Sequence, residues 1–224
     1  MAVEAIDGTV AATIAGLNLD ATRPLIISDA DEVLFAFMAA FEAFLIANDH
    51  YFDWSSFALD GNIRRKADSE PVERPQVLAM LGRFFADHTE TIEPVPDAAS
   101  SLKSLNDRAQ IVVLSNIPAA QATSRSAALS RHGMAYPLIA NSGPKGPAVS
   151  ALAARAGVPV FFIDDGPNHH RSVARHANHV RRIQMIADER LARLIDQAPD
   201  SDHRADDWPT LRALIEGELS EHGF

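Results

Sequence analysis

Residues 24–35 read PLIISDADEVLF. The segment Leu25–Ser28 has the length and apolar content of a strand buried on both faces, the kind found inside parallel sheets. Three acidic residues, Asp29, Asp31 and Glu32, stand directly at its end. Ligands of open parallel sheets bind in the crevice beyond the carboxyl ends of the strands, so carboxylates placed there are aimed at a site rather than at a core. The segment therefore predicts an α/β fold, a doubly wound, Rossmann-like parallel sheet whose strand ends carry the chemistry.

Outward from it, strand-like runs alternate with helical ones after residue 97, the pattern of a parallel sheet with crossover helices. Ile111–Leu114, Leu138–Ala140, Val160–Ile163 and Val180–Ile186 are the further strands; Asp97–Leu105, Ala119–Arg131, Pro147–Ala156 and Asn168–Ala177 are the helices between them. Residues 34–90 interrupt the alternation and read as helices only, over 34–48, 54–67 and 71–87. The expected organisation is a core of residues 1–34 and 92–224 with a small all-helical cap over 35–91, its return marked by Pro94 and Pro96. The tail holds two more helical patterns, Asp188–Gln197 and Trp208–Leu219, on either side of a polar loop, APDSDHRADD.

Two other strands end as the first does. IVVLSN delivers Ser115 and Asn116, VFFIDD delivers Asp164 and Asp165, and Lys145 opens the helix between them. Four carboxylates brought together resist ionisation unless a cation sits among them. Oxygen donors of this kind suit Mg2+, which takes one or two protein carboxylates and pairs with substrate phosphate. The hydroxyl, amide and ammonium groups supply donors and positive charge to phosphoryl oxygens. One carboxylate can attack phosphorus, and its neighbour two positions on can act as acid and base. Lysine is also the rarer choice here, since only three of the 20 basic residues are lysines, at 66, 103 and 145. A compact ammonium fits a point-charge role.

Together IISDADEVL, IVVLSN, GPKGPAVSALAARAG and VFFIDDGPNHHRSVARHA resemble the four ordered motifs of the haloacid dehalogenase (HAD) superfamily of hydrolases, over roughly residues 24–180. That resemblance implies a phosphatase in which Asp29 is the nucleophile, forming an aspartyl-phosphate. It makes Asp31 the general acid/base, Ser115 and Asn116 the phosphate binders, and Lys145 the group that neutralises nucleophile and phosphoryl charge. It places the magnesium on the Asp29 carboxylate, the Asp31 backbone carbonyl and the pair Asp164 and Asp165, with Asp165 favoured as the direct ligand. It also makes the insert after the first motif a mobile cap. The chain departs from the family twice: Glu32 and Val33 stand where glycine and threonine are frequent, and Lys145 is followed by Gly146. A phosphomutase would share all these residues; a dehalogenase would not need Asp31. A catalytically silent phosphate-binding module is the alternative of another class, whereas the order of residues is wrong for a receiver domain.

The remaining features bound the function. A formal net charge of -10 and a pI near 5.3 disfavour nucleic acid as a partner and favour a small phosphorylated molecule. No cysteine is present, which excludes disulfides and thiolate metal sites and suits a reducing compartment. The N-terminal stretch lacks a basic leader with a long apolar core, and the most apolar segment, 33–47, is short for a bilayer and carries Glu42. A cytoplasmic location without membrane association is expected. His176 and His179 share a helix face but lack a third ligand for zinc, while His169 is placed at the rim of the phosphate site. Eight of the 15 aromatic residues fall between Phe35 and Phe57. They are expected to form the core of the cap, with Phe35 and Trp54 facing the crevice and selecting the substrate.

Overall fold

The structure, a computed structural model, describes residues 5–224. In chain order its strands are β1 (Leu25–Ser28), β2 (His50–Phe52), β3 (Ile63–Arg65), β4 (Gln110–Ser115), β5 (Leu138–Ala140), β6 (Val160–Asp164), β7 (Arg181–Met185) and β8 (His203–Ala205). The helices are α1 (Gly8–Gly16), α2 (Phe37–Ala47), α3 (Arg74–His88), α4 (Ala98–Asn106), α5 (Ala122–Arg131), α6 (Gly146–Ala153), α7 (Pro167–His176), α8 (Glu189–Ala192) and α9 (Trp208–Glu221). Six strands form one parallel sheet in the order β5-β4-β1-β6-β7-β8, the expected doubly wound core. None of the helices among the described residues is long and apolar enough to cross a membrane.

Alternation along the strands accounts for the unbroken apolar runs. Leu25 and Ile27 pack with Val112, Leu114 and Phe162 under α1, α6 and α7, while Ile26 packs with Val113, Phe161 and Ile163 on the other face under α4, α5 and α9. Register then sets the site. Ser28 pairs with Val113 on one side and Ile163 on the other, and the Asp29 amide donates to the Ile163 carbonyl at 2.8 Å. Asp29 thus follows at the level of Asp164, with Ser115 on the strand at its other side.

Between β1 and β4 the chain leaves the sheet, and here the structure differs from the sequence expectation. The helix expected over 54–67 is absent: β2 and β3 form an antiparallel pair, so the insert is not all-helical. The 53–62 connection is held by one buried side chain, Asn62, whose amide donates to the Ser56 and Ala58 carbonyls, at 3.0 and 2.8 Å. A side chain that substitutes for helical backbone bonds leaves no periodic trace in sequence. The first helix begins at Phe37 rather than 34, because residues 30–35 turn tightly; the Leu34 and Phe35 amides both donate to the Ala30 carbonyl. The chain leaves and returns side by side, the Ala36 amide donating to the Glu93 carbonyl and the Val95 amide to the Leu34 carbonyl, both at 2.9 Å. Phe37, Phe41 and Phe44 stack in series and Phe84 meets them edge-on, within one cluster that is continuous with the sheet face.

Three further differences concern the ends. The tail helix expected over Asp188–Gln197 shortens to α8, and the polar loop after it contains β8. The helix α1, which the sequence reading did not assign, is capped by the Asp7 carboxylate, which accepts from the Thr9 and Val10 amides.

Candidate active site

Lys145 sits at the N-terminal end of α6 with only 1% of its side chain exposed, and its Nζ lies 2.6 Å from Asp29 Oδ1 and 2.6 Å from Asp164 Oδ2. Burial alone would strip its proton, but Asp164 and Asp29 outweigh burial and hold its pKa above the usual lysine range. Asp164 is pushed up by burial and more than compensated by Lys145, His169 and His170, so it stays ionised; its Oδ1 also accepts from the Gly166 amide at 2.9 Å. Asp29 is pushed up to about 7, first by burial and then by Asp164 and Asp31, against the pull of Lys145. Asp165, half-buried at the mouth, is held well above the carboxylate range by burial and by Asp164, Asp29 and Glu32.

One oxygen each of Asp29, Asp164 and Asp165 fall within 4.8 Å of one another, the only such donor group among the described residues. Fully ionised, three carboxylates against one ammonium would leave two negative charges; burial and mutual repulsion hold protons on Asp29 and Asp165 instead, and a divalent cation would displace those protons and balance the charge. The donors are all oxygen, and they fit Mg2+ better than zinc. Among the described residues no histidine pair joins a metal-type cluster.

The residues expected to meet phosphate lie at strand and loop ends. Ser115 is fully buried, and its Oγ accepts from the Ile117 amide at 3.3 Å. Asn116 is exposed and tied to the Lys145 loop, its Nδ2 donating to the Gly143 carbonyl at 2.9 Å. Asn141, which the sequence did not mark, completes this brace by donating to Asn116 Oδ1 at 2.8 Å. Gly143 turns the loop at φ 79°, a backbone that favours glycine. The other unusual glycine also has its reason. A Cβ on Gly146 would collide with the Ser172 carbonyl and hydroxyl, so the absence of a side chain lets α6 close on α7 beside Lys145.

Glu32 adopts φ 65°, a left-handed backbone, at the position where the resembling motif often has glycine. Its buried carboxylate accepts from the Met38 amide at 3.0 Å and the Asp188 amide at 2.7 Å, tying α2 to the loop after β7. Those two bonds offset the strain of a left-handed backbone. Burial nonetheless pushes Glu32 up to about 7. Two more positioning contacts escaped the sequence because amide and imidazole groups lack a motif: His170 Nε2 meets the Asp164 carbonyl at 2.9 Å, and Gln184 Nε2 donates to the Asp165 carbonyl at 3.0 Å.

Asp31 stands apart from the three gathered carboxylates, its Oδ1 held by Arg125 Nη2 at 2.5 Å. The aromatic expectation needs correction. Phe35 has no exposed surface and lies under the Arg125 guanidinium and against His132. Trp54 donates to Glu42 at 3.0 Å and is covered by Arg190, 3.8 Å from its ring centroid. Neither lines the pocket beside the carboxylates. That pocket, about 290 Å³, is walled instead by Glu32, Phe37, Met38, Phe57, Ala58, Leu59, Asp165 and Leu191.

The parallel sheet, the insert after β1 and the lysine joined to strand-end aspartates are the features that the four haloacid dehalogenase-like motifs of the sequence lead one to expect. No family model matches the sequence, and no curated protein matches it. Solved structures do match along most of the chain. A HAD family hydrolase from Deinococcus radiodurans with bound phosphate and sodium is 16% identical, with 89% of this chain and 98% of that one covered at a TM-score of 0.57. L-2-haloacid dehalogenase from Xanthobacter autotrophicus with chloropropionic acid covalently bound is 13% identical, with 88% and 99% covered at 0.52. CbbY from Rhodobacter sphaeroides in complex with phosphate is 15% identical, with 84% and 95% covered at 0.51. At such identities the likeness is one of fold.

Proposed function

We propose that the protein is a HAD-superfamily, Mg2+-dependent phosphohydrolase acting on a small organic phosphate monoester. The observation that carries this is the Lys145 ammonium set 2.6 Å from both Asp29 and Asp164, with Asp165 beside them. Asp29 is the nucleophile: its carboxylate oxygen bonds to phosphorus as the bond to the leaving oxygen breaks. Asp31 gives that oxygen its proton, then takes one from the water that cleaves the aspartyl-phosphate and restores Asp29. Ser115, Asn116 and Lys145 hold the phosphoryl oxygens. Asp29, Asp165, the Asp31 carbonyl and, behind them, Asp164 would hold magnesium, which when bound supplies positive charge against the phosphoryl group.

The insert is the cap in this reading. Phe37, Met38, Phe57 and Leu59 offer the leaving group an apolar wall, and no basic side chain lines the pocket, which favours a leaving group without a second anion.

Release of inorganic phosphate from para-nitrophenyl phosphate in the presence of magnesium, with Asp29→Asn as control, tests the assignment. Chloride release from 2-chloropropionate without phosphate release from any ester would favour a dehalogenase instead.

A further inference from the structure

We infer that Arg125 is a positioning residue for Asp31, fixing one carboxylate oxygen so that the other is presented to the leaving group; this rests on the phosphohydrolase reading above. Arg125 lies on the inward stripe of α5 with Ala128 and Leu129, where an apolar residue would be ordinary. Its side chain has no exposed surface. The guanidinium lies over the Phe35 ring, 4.6 Å from the centroid, and reaches Asp31 Oδ1 through Nη2.

The rest of its bonding capacity is unused. Nε and Nη1 are buried without a hydrogen-bond partner. Buried donors left unpaired cost free energy, and an apolar side chain of similar size would stabilise such a position as well or better. Packing therefore gives no reason for arginine at this place, whereas direction does. A planar guanidinium can stack on Phe35 and hold a carboxylate edge-on at once, and a lysine cannot do both.

The consequence falls on Asp31. Its Oδ1 is engaged, its Oδ2 makes no hydrogen bond among the described residues, and 19% of its side chain remains exposed. Lys145 is committed to Asp29 and Asp164, so the two buried cations serve different carboxylates. Lys145 faces the nucleophile, and Arg125 keeps the acid/base group out of the metal-type cluster with one oxygen free. Phe35 contributes through Arg125 rather than by touching substrate.

The test uses the full chain with magnesium and a series of aryl and alkyl phosphates, comparing wild type, Arg125→Met, Arg125→Lys, Asp31→Asn and the Arg125→Met/Asp31→Asn pair. Arg125→Met should lower kcat about 10- to 100-fold for poor leaving groups, within what an acid/base group contributes, and only about threefold for good ones. KM should hold, Arg125→Lys should restore little, and in the Asp31→Asn background the same substitution should cost less than about twofold. Equal losses for all leaving groups, or an undiminished loss without the Asp31 carboxylate, would overturn the inference. If Arg125→Met does not fold, Arg125→Gln replaces it. A crystal structure gives a readout that needs no activity. Asp31 should change rotamer in the variant while Asp29, Lys145 and Asp164 keep their geometry; an unmoved Asp31 overturns the positioning role even if the phosphohydrolase reading fails.

Discussion

Magnesium should raise the melting temperature of this protein, and by much more near pH 8 than near pH 5.5. Fully ionised, the cluster of Asp29, Asp164 and Asp165 would carry two negative charges beyond Lys145, so a dication that displaces its protons should bind the folded chain and find no matching site in the unfolded one. At a magnesium concentration of about 100 times Kd, mass action stabilises the fold by about 2.7 kcal/mol. For a chain of this size that is roughly 5–11 °C. Lowering the pH puts a proton on Asp29, whose pKa is about 7. Near pH 5.5 that proton must leave first, at a cost of about 2 kcal/mol, which weakens binding about 30-fold. The shift then shrinks to about 0.9 kcal/mol, roughly 2–4 °C. Asp165, also held above its usual range, acts in the same direction. The sign for the metal-free protein follows from the same protons: the folded state binds Asp29's proton up to about pH 7 and the unfolded state only to about 3.8, so stability falls as pH rises through that window. Differential scanning fluorimetry of the wild type, Asp165→Asn and Asp164→Asn checks all of this. Identical shifts at the two pH values, or a full shift in both Asp165→Asn and Asp164→Asn, would refute the electrostatic account.

Asp29→Asn is expected to abolish phosphate release while circular dichroism stays native, because the amide keeps the shape and removes a charge whose burial is costly. Glu32→Ala leaves the Met38 and Asp188 amides without their acceptors and keeps a left-handed backbone, so urea unfolding should show a loss of about 1–3 kcal/mol. Phe57→Ala should raise KM for aryl phosphates with magnesium affinity preserved, since it removes pocket wall and no donor. Trp54→Ala should leave KM unchanged and lower stability by roughly 0.5–2 kcal/mol through the lost Arg190 contact; the reverse pattern would return Trp54 to the substrate.

Strand ends and their order were legible in the sequence because they obey local rules. A short apolar run buried on both faces reads as a parallel strand wherever it occurs, and Asp29, Ser115 and Asp164 appear at the ends of such runs. Lys145 was visible as a rare lysine at a helix start. What the linear pattern left open depends on partners far along the chain. Arg125 lies 94 residues from Asp31, and Glu32 lies 156 from the Asp188 amide it binds. The connection between β2 and β3 is held by Asn62, whose amide bonds to the carbonyls of Ser56 and Ala58. The walls of the pocket likewise come from Phe37, Met38, Phe57 and Leu59 rather than from Phe35 and Trp54. Helical and strand periodicity report which face of an element is apolar. Which apolar face meets core, a cation or the site is decided only when elements pack against one another, and here the same tertiary contacts turn Asp31 toward Arg125 and leave Asp165 at the mouth with its two charged neighbours.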